Sequence, residues 1–534
     1  MNMKKRSIVS LVALTLLLNS NVYADDLLEE ITIVGATIVE SKPKVDEDFS
    51  LLETVMPAMA YTAGGFGGFG GYNERGAQTE HTTIFRNGVP VNDAGSGWYD
   101  FGHDVVTGQE AIKIVSGPNS VLYGSGSLGG SVFITDDIQD GIVARVGSQH
   151  KMVNASKSGF AITHFDVSNG SVRTDNDESD TYVNTTARID QTIGGFDVNV
   201  NFTDYDYDYD NCYTTSFSQS NDCNQVGEKL AVSIRNENLT LGYNKNEADY
   251  FTGTDLTYDS SAERFYIDVK NTYMIGTPAA ILVLGMTGDS EKYMDADQTN
   301  VSGYASINFA DQFGLGFRVT EDAFVYRVGY NKDLLSINFA TSYRNPTLYQ
   351  LNGDVWVDGN STLEAEESMG LELGFGAFTI YRYEFEEGIQ YASGYTDDAG
   401  TYNNATYLNS GAYSTQGIRF MDMYAVPWGS FSVMLGYTDS DQPRVPEMKT
   451  QLSYYASVGK YDFKAIYSGM FERGTDTWTG IELDDVSTFD FVLSREFSKA
   501  KVSFTIRDVL DNEFEVTPGY GAGGINYFLT ISSN

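Results

Sequence analysis

The most distinctive run of chemically capable residues in this 534-residue chain alternates aspartate and tyrosine between residues 204 and 210. In an extended strand the carboxylates would share one face about 6.8 Å apart, twice the rise per residue. Such a row must be solvated or must hold a cation, and Ca²⁺ takes several oxygen ligands. It is no EF-hand loop, because Tyr209 stands where glycine is needed and Thr215 where glutamate is needed. A solvated acidic face and a Ca²⁺ site both remain open, and the candidate metal ligands are Asp204, Asp206, Asp208 and Asp210.

Cysteine and histidine are too scarce for most enzyme sites. Cys212 and Cys223 are the only cysteines, which excludes a four-cysteine metal site, and in an oxidising compartment they predict a small loop closed by a disulfide. Residues 124–129 fit G-x-G-x-x-G, but a dinucleotide site needs a helix next, and residues 130–134 are typical of a strand. With no zinc motif and no nucleophile–histidine arrangement, the sequence predicts neither an enzyme nor a cofactor for chemistry.

The N-terminus predicts export from the cytoplasm. A basic stretch at residues 4–6, an apolar core at 8–18 and a small-residue cleavage site ending at Ala24 are typical of a signal peptide over residues 1–24. No cysteine follows the cleavage site, which disfavours a lipoprotein. The formal net charge of −39 excludes duplex nucleic acid as a partner, since phosphate backbones are bound by clustered Lys and Arg.

Residues 139–534 contain many segments of strict apolar–polar alternation, the period of a β-strand. In residues 196–203, for example, Phe196, Val198 and Val200 share one face, and Asn199 and Asn201 share the other. A soluble sandwich would turn the apolar face to a dry core, whereas a membrane barrel would turn it to lipid. The export signal and the number of segments favour an all-β membrane barrel. We expect 22 antiparallel strands, which allows about 18 residues for each strand and its connection, of which about 9–11 span the membrane.

Residues 25–138 have glycine runs and short apolar stretches without sustained alternation. Large barrels have a lumen that is filled or left as a channel. We therefore expect an N-terminal segment at 25–40 and an α+β plug domain at 41–138 that lies inside the lumen of a barrel formed by 139–534. Within the plug, Asn87 and Gly88 form a two-residue hairpin signal.

Several motifs resemble those of the TonB-dependent outer-membrane receptors. The most specific is IKIVSGPNSVLYGSGSLGGSVFI at residues 112–134, which is similar to the end of the family's plug domain. Arg75 with Gly76, and TIFRNGVPVND at 83–93, resemble earlier parts of that domain. In the barrel, YRNPTLY at 343–349, GNSTLEAE at 359–366 and RDVLDNEF at 507–514 resemble further family stretches, with departures at Asn345, Ser361 and Ala365. The resemblance extends over nearly the whole mature chain and implies a location in the outer membrane of a Gram-negative cell.

The resemblance also implies a partner in the periplasm. The β-branched run near the mature N-terminus looks like the family's TonB box, which pairs as an added strand with a TonB-type energy-coupling protein. The simpler alternative is an ordinary first strand of the plug. The proposed box consists of Glu30, Ile31, Thr32, Ile33 and Val34.

The function that the resemblance implies is active uptake of a scarce, large ligand into the periplasm. Cobalamin and ferric siderophores are the leading candidates, and a carbohydrate is a further one. An Asp-rich, Ca²⁺-binding outer loop in the family's cobalamin receptors slightly favours cobalamin. A passive porin or adhesin with a structural N-terminal domain is the alternative. Because no histidine lies in residues 343–366, a haem receptor is disfavoured. The expected ligand contacts in plug loops are Tyr72, Asn92, Trp98 and Tyr99.

Overall fold

The alternating segments of the sequence form the wall of a closed antiparallel barrel with 22 strands. The computed structural model describes residues 34, 36–48, 51, 66–168, 180–214, 218–276, 280–310, 312–354, 357–396, 402–475 and 480–533. The last strand of the chain pairs with the first strand of the wall, with Leu529 opposite Val146, and this pairing closes the barrel. The predictions of signal-peptide residues 1–24 and of TonB-box residues 30–33 lie outside the described residues.

Strands are numbered in chain order. The wall consists of β6 (Gly141–Gly147), β7 (His150–Lys157), β8 (Phe160–Val167), β9 (Tyr182–Ile193), β10 (Phe196–Tyr209), β13 (Cys223–Arg235), β14 (Leu239–Thr252), β15 (Asp255–Ile275), β16 (Ala280–Tyr293), β17 (Ala296–Phe309), β18 (Phe313–Val319), β19 (Phe324–Lys332), β20 (Leu335–Arg344), β22 (Glu366–Phe375), β23 (Phe378–Ala392), β26 (Ala405–Val426), β27 (Gly429–Ser440), β28 (Met448–Val458), β29 (Tyr461–Phe471), β30 (Val486–Glu496), β31 (Ala500–Arg507) and β34 (Asn526–Ser533).

Short strands occupy the connections of the wall. They are β11 (Cys212–Tyr213), β12 (Gln219–Ser220), β21 (Val357–Asp358), β24 (Tyr395–Thr396), β25 (Tyr402–Asn403), β32 (Glu513–Thr517) and β33 (Tyr520–Gly523). A short helix α2 (Leu348–Asn352) follows β20. No helix in the described ranges is long and apolar enough to cross a membrane.

Apolar side chains of the wall point outward, and polar ones point into the lumen. In β18, Phe317 and Val319 are each 48% exposed, whereas Arg318 between them is fully buried. In β10, Asn199 and Asn201 are buried on the lumen side. The polar face is therefore the inner one, as in a membrane barrel and contrary to a soluble sandwich. The prediction of an all-β barrel with 22 strands is confirmed.

The two ends of the barrel differ in their connections. At one end, here called the short-turn end, neighbouring strands are joined by tight turns such as the one between β7 and β8. At the other, here called the long-loop end, the connections include residues 345–365, 472–485 and 508–525. This asymmetry is typical of outer-membrane barrels, which have short periplasmic turns and longer extracellular loops.

The N-terminal domain lies inside the lumen, as predicted. Its elements are β1 (Ile38–Ser41), β2 (Thr82–Arg86), β3 (Val89–Pro90), β4 (Glu110–Ser116), helix α1 (Ser120–Tyr123) and β5 (Gly130–Asp136), with short 3₁₀ turns at Glu74–Gly76, Thr79–His81 and Phe101–His103. The five strands form one sheet in the order β1-β4-β5-β2-β3, with β2 and β5 parallel. Asn87 and Gly88 both have positive φ, at 48° and 82°, and form the tight turn between β2 and β3.

Plug and wall are joined by polar contacts on several sides. Buried Arg318 of β18 donates hydrogen bonds to the carbonyl oxygens of Val121 and Leu122 in α1 at 3.0 and 2.9 Å. On another side, Nζ of Lys501 lies 2.7 Å from Oδ2 of Asp46. Burying a guanidinium is costly unless its donors are satisfied, so these contacts fix where the plug sits.

Candidate functional site

A cavity of about 290 Å³ opens between the plug and the wall at the long-loop end. Plug residues 92–94, Gly97 and residues 123–126 form one side. Strands β15, β16, β17 and β20, the β18–β19 connection at 320–322 and residues 345–347 form the other. Ligand sites in proteins are concave and start at roughly 300 Å³, so this cavity has room for one part of a large ligand.

Acidic side chains outnumber basic ones in the lining of the cavity. Six carboxylates line it against two guanidinium groups, those of Arg264 and Arg344. Arg264 is paired with Glu291, and its Nη1 donates to the carbonyl oxygen of Asn92 in the plug at 3.2 Å. The lining carboxylates are Glu80, Asp93, Asp289, Glu291, Glu321 and Asp322.

Arg344 at the end of β20 is fixed by contacts with wall and plug residues. Its Nε donates to Oε2 of Glu366, which also lies 3.2 Å from Nε2 of His81 in the plug. The other oxygen of Glu366 accepts from the backbone N–H of Ile389 at 2.7 Å. Both terminal nitrogens of Arg344 are buried and have no hydrogen-bond partner among the described residues. The residue lines the cavity.

A second charged group, the Arg75 cluster, joins plug and wall deeper in the lumen. It consists of Glu74 and Arg75 of the plug and Glu372, Tyr383 and Arg419 of the wall. Nη1 of Arg75 lies 2.5 Å from Oε1 of Glu372 and also contacts the Tyr383 hydroxyl. Burial opposes ionisation of Glu74, but Arg75 and Arg419 nearby hold the pKa of this carboxyl below its ordinary value. The buried charges of the cluster are thus matched within the protein.

The N-terminal strap, defined as Val34 and residues 36–41, is fastened to the wall near the short-turn end. The backbone N–H and Oγ1 of Thr37 donate to Oε2 of Glu372 at 3.1 and 2.9 Å. The carbonyl oxygen of Val34 accepts from Nη2 of Arg327 at 3.0 Å. Gly329 permits this approach, because a Cβ there would stand 1.8 Å from that oxygen. Val34 itself is buried, and it is the one proposed TonB-box residue that the structure describes.

The four expected ligand contacts occupy different environments. Tyr72 is buried, with its hydroxyl 2.5 Å from Glu74, and the amide of Asn92 is occupied by backbone groups of the plug. Tyr99 is half-buried and donates to Asp104 at 2.6 Å. Trp98 is 45% exposed and lies beside Phe69 with ring centroids 5.4 Å apart. All four remain predictions as ligand contacts, and Trp98 is the one whose ring faces solvent.

Asp204, Asp206 and Asp208 lie on the outer face of β10, whereas Asp210 follows the strand and is buried. The tyrosines of the row point inward, where Tyr205 stacks on His103 of the plug with centroids 3.7 Å apart. Asp204 and Asp206 are exposed, and Asp208 accepts hydrogen bonds from Thr181 and Asn224. Within the described ranges, no three His, Cys, Asp or Glu side chains are arranged to hold a metal ion. Because Ca²⁺ needs ligands on several sides, three carboxylates along one strand would need further ligands from the outer loop. The Ca²⁺ site stays a prediction.

Cys212 and Cys223 form a disulfide beside this row, with Cα atoms 6.0 Å apart. The bond joins β11, just after the end of β10, to the start of β13, so it closes the outer loop between these two wall strands.

Of the residues that line the cavity, sequence reasoning selected Asn92 as a ligand contact but none of the charged ones. Arg264, Asp289 and Glu291 stand at inward positions of alternating strands, where polar side chains are expected and draw no attention. The sequence did contain a signal for this site. Three charged residues stand at inward positions of the neighbouring strands β15 and β16, where uncharged polar residues would be enough to line a water-filled lumen. Arg344 belonged to a recognised motif, but its free nitrogens appear only in the folded chain.

Comparisons with known proteins agree with this architecture. The chain matches the family model of the TonB-dependent receptor plug domain over residues 25–131. The vitamin B12 transporter BtuB of Photobacterium profundum is 22% identical over 575 residues, covering 94% of this chain and 92% of that protein. The siderophore receptor PirA from Acinetobacter baumannii has a TM-score of 0.69 at 14% identity, covering 93% of this chain and 98% of that one. The copper transporter OprC has a TM-score of 0.70 at 11% identity, covering 94% and 99%.

The structure is thus a plug held inside a 22-stranded barrel, with a cavity at one end and a fastened N-terminal strap at the other. Together with the plug-domain match over residues 25–131 and the full-length relative, this architecture supports a place in the TonB-dependent receptor family. Members of this family are transport proteins and not enzymes. The protein is therefore an outer-membrane receptor for the uptake of a ligand, with its long-loop end outside the cell and its short-turn end in the periplasm.

Proposed function

We propose that this receptor takes up cobalamin with energy from a TonB-type protein that pairs with residues 30–34. The observation that carries the proposal is the placement of two sites at opposite ends of one lumen. The cavity opens to the outside, whereas Val34, the last residue of the proposed box, and the nearby Thr37 are fastened to the wall near the periplasm. A signal from ligand to partner must therefore pass through the plug.

Support for cobalamin comes from the relative that is named a vitamin B12 transporter and aligns with 94% of this chain. A ferric siderophore is the second candidate, because structural neighbours with the same fold are named siderophore receptors. Both ligands are larger than the cavity of about 290 Å³. One edge of the ligand would enter it, while plug-apex groups such as the exposed ring of Trp98 contact the remainder.

In the proposed cycle, ligand in the cavity displaces the plug loop at 92–97 from the wall. The plug then shifts against the Arg75 cluster, and the bonds from Glu372 to Thr37 and from Arg327 to Val34 break. Once freed, residues 30–34 offer unpaired backbone groups to the partner by β-strand addition. Force applied to this strand rearranges the plug and opens a path to the periplasm.

Uptake of labelled cyanocobalamin by cells tests the coupling. Ile33→Pro removes a backbone donor from the paired strand, so uptake should fall to the level of a strain that lacks the TonB-type partner, while surface binding stays normal. Ile33→Val keeps the donor and the β-branched shape and should transport normally. Uptake that survives both Ile33→Pro and loss of the partner would instead support a passive barrel.

The ligand is tested separately by saturable binding of labelled cyanocobalamin and of ferric siderophores to cells that express the receptor. Saturable cyanocobalamin binding that requires the receptor supports the proposal. Binding of a siderophore alone would replace cobalamin with the second candidate.

A further inference from the structure

The extracellular cavity has more negative charge than its own cations neutralise. Both guanidinium groups are committed, Arg264 to Glu291 and Arg344 to Glu366. Arg264, Arg318 and Arg344 act at longer range on some of the remaining lining carboxylates, but within the described residues these carboxylates form no close ion pair. They are Glu80, Asp93, Asp289, Glu321 and Asp322.

Neutral donors hold some of these carboxylates in place without cancelling their charge. Oδ2 of Asp289 accepts from Nδ2 of Asn300 at 2.8 Å, and Oδ1 of Asp93 accepts from the backbone N–H of Ser96 at 2.8 Å. Glu321 and Asp322 stand exposed at the mouth, on the β18–β19 connection. The negative charge thus extends from the mouth to the inner wall of the cavity.

Arg344 adds a second feature that points to a ligand. The side chain is 3% exposed, yet neither terminal nitrogen has a hydrogen-bond partner among the described residues. Nη1 lies beside Gly97 of the plug, 3.6 Å from where a Cβ would stand. A buried donor without an acceptor is unfavourable, so an oxygen atom from a ligand would be bound strongly there.

We propose that the cavity selects ligands of neutral or positive net charge that offer hydrogen-bond donors to its carboxylates and one acceptor oxygen to Arg344. The inference rests on the proposed uptake function and specifies the ligand class that the site accepts. Amide-rich corrinoids and ferric chelates with a free amine meet this description. Chelates with several negative charges, such as ferric triscatecholates, do not.

The physical reason is the field inside a cleft. Walls of one charge sign with low dielectric behind them concentrate the potential, which raises the local concentration of positive groups and repels negative ones. An acceptor oxygen of the ligand bound by Arg344 would fix the orientation of the ligand, because a guanidinium donates in a fixed planar geometry. Selection by charge and orientation by Arg344 should therefore be separable.

Two matched ligand pairs test charge selection on the purified full-length receptor. One pair is cyanocobalamin and its monocarboxylic acid, in which one side-chain amide is hydrolysed. The other is a ferric trihydroxamate with a free amine and the same chelate with the amine succinylated. In whichever pair binds, the less negative member should bind about tenfold tighter at low salt. Added salt should narrow the gap by screening the exposed charges at the mouth.

The variant with Asp289→Asn, Glu321→Gln and Asp322→Asn removes three charges from the cavity. The preference for the less negative ligand should shrink to about threefold or less, since the field falls with the number of charges. A control with Glu228→Gln, Asp249→Asn and Asp259→Asn makes the same change in net charge on the outer surface of β13 to β15, where all three side chains are exposed. This control should keep the wild-type preference.

Arg344→Lys tests the anchor. It preserves a positive charge beside Glu366 but removes the planar fork, so both members of a pair should lose affinity by the same factor, about tenfold, and their ratio should stay unchanged. Barrel folding is checked in every variant by its heat-modifiable migration on gels.

Equal affinity within a pair for the wild-type receptor, or a preference that the cavity variant retains in full, would overturn the charge selection. Saturable uptake would stand in either case, so the proposed function would survive. If neither pair binds, both proposed ligand classes fail, and this inference fails with them.

Discussion

The two ends of the plug meet the barrel wall in opposite ways. At the Arg75 cluster and the strap, buried charges are matched: Arg75 faces Glu372, and Glu372 also holds Thr37. At the extracellular cavity, carboxylates outnumber cations, and Arg344 keeps two donors without partners among the described residues. Both regions are polar interfaces between the same two domains, so the difference is not one of composition.

What differs is whether the charges balance within the protein, because Arg75 and Arg419 also have buried nitrogens without a hydrogen-bond partner among the described residues. A buried charge pair is stable only while both partners remain, so removing either one is costly. This suits a contact that must stay closed until it is pulled apart. An excess of carboxylates in a cleft attracts positive groups and hydrogen-bond donors from outside the protein. Such an excess is expected at a site that binds a ligand. The predictions below test that contrast, from the largest expected effect to the smallest.

Glu372→Gln should cause the largest change. It leaves the buried Arg75 guanidinium without its closest counter-ion and should destabilise the plug by about 3 kcal/mol, at the low end for broken buried pairs because Glu74 remains 3.3 Å away. Hydrogen exchange of the β4 and β5 amides measures the loss. The control is Glu384→Gln, which breaks the exposed Arg382–Glu384 pair on the outer wall and should cost less than about 1 kcal/mol. Equal effects would mean that the cluster is no more important than a surface pair.

Gly329→Ala should release the strap without touching the cavity. The new Cβ would stand 1.8 Å from the Val34 carbonyl oxygen, so the strap must move away from the wall. Labelling of a cysteine introduced at Ala36 by a maleimide should speed up about tenfold, since local opening controls access. At Gly303 the nearest atom to an added Cβ is 4.0 Å away, which makes Gly303→Ala the matched control. Unchanged labelling in Gly329→Ala would show that the strap is not held there.

Acid should loosen the Arg75 cluster. Arg75 and Arg419 outweigh burial and hold the pKa of Glu74 below its ordinary value of 4.5. Its contribution to stability is therefore complete above that pH and is lost as the pH falls through the lower folded-state pKa. Hydrogen exchange of the plug between neutral pH and acid should show this loss, and Glu74→Gln should lack it. An identical acid response in Glu74→Gln would assign the loss to other carboxyls.

The aspartate row should have the smallest effect. Asp206→Asn combined with Asp208→Asn changes side chains that face away from the lumen, so ligand affinity should stay within about twofold, as for ordinary surface substitutions. Removing Ca²⁺ with a chelator should likewise change little. Clear weakening by the chelator, reproduced by the double variant, would support the calcium site that the sequence suggested and would require the outer loop to rearrange around the ion.

Much of the fold could be predicted from local patterns. Alternation in β10 and β15 set which residues share a face, and the Asn87–Gly88 pair set the β2–β3 turn. The strand β5 after the glycine-rich 124–129 stretch excluded a nucleotide site. These features depend on neighbours a few residues apart, which the sequence shows directly.

The site was less predictable because its contacts join distant segments. Tyr72 and Asn92 lie in plug loops, as expected, but their polar atoms are bonded within the plug, and no local pattern reveals such partners. Likewise, the aspartate row was visible in the sequence. The contacts of its alternate tyrosines inside the barrel, such as that of Tyr205 with His103 of the plug, appear only in the folded chain.

The sequence by itself determined the strand period, the polar and apolar faces, the division into plug and barrel and the resemblance to a receptor family. Each of these depends on residues that are close together along the chain. Only the tertiary structure decided which charges meet. Arg75 and Glu372 are 297 residues apart, and Thr37 and Glu372 are 335 apart, so their contacts depend on how the plug is seated in the closed barrel. The same seating decides that Arg344 keeps free donors beside unneutralised carboxylates, since pairing of buried charges depends on position in space and not on order along the chain.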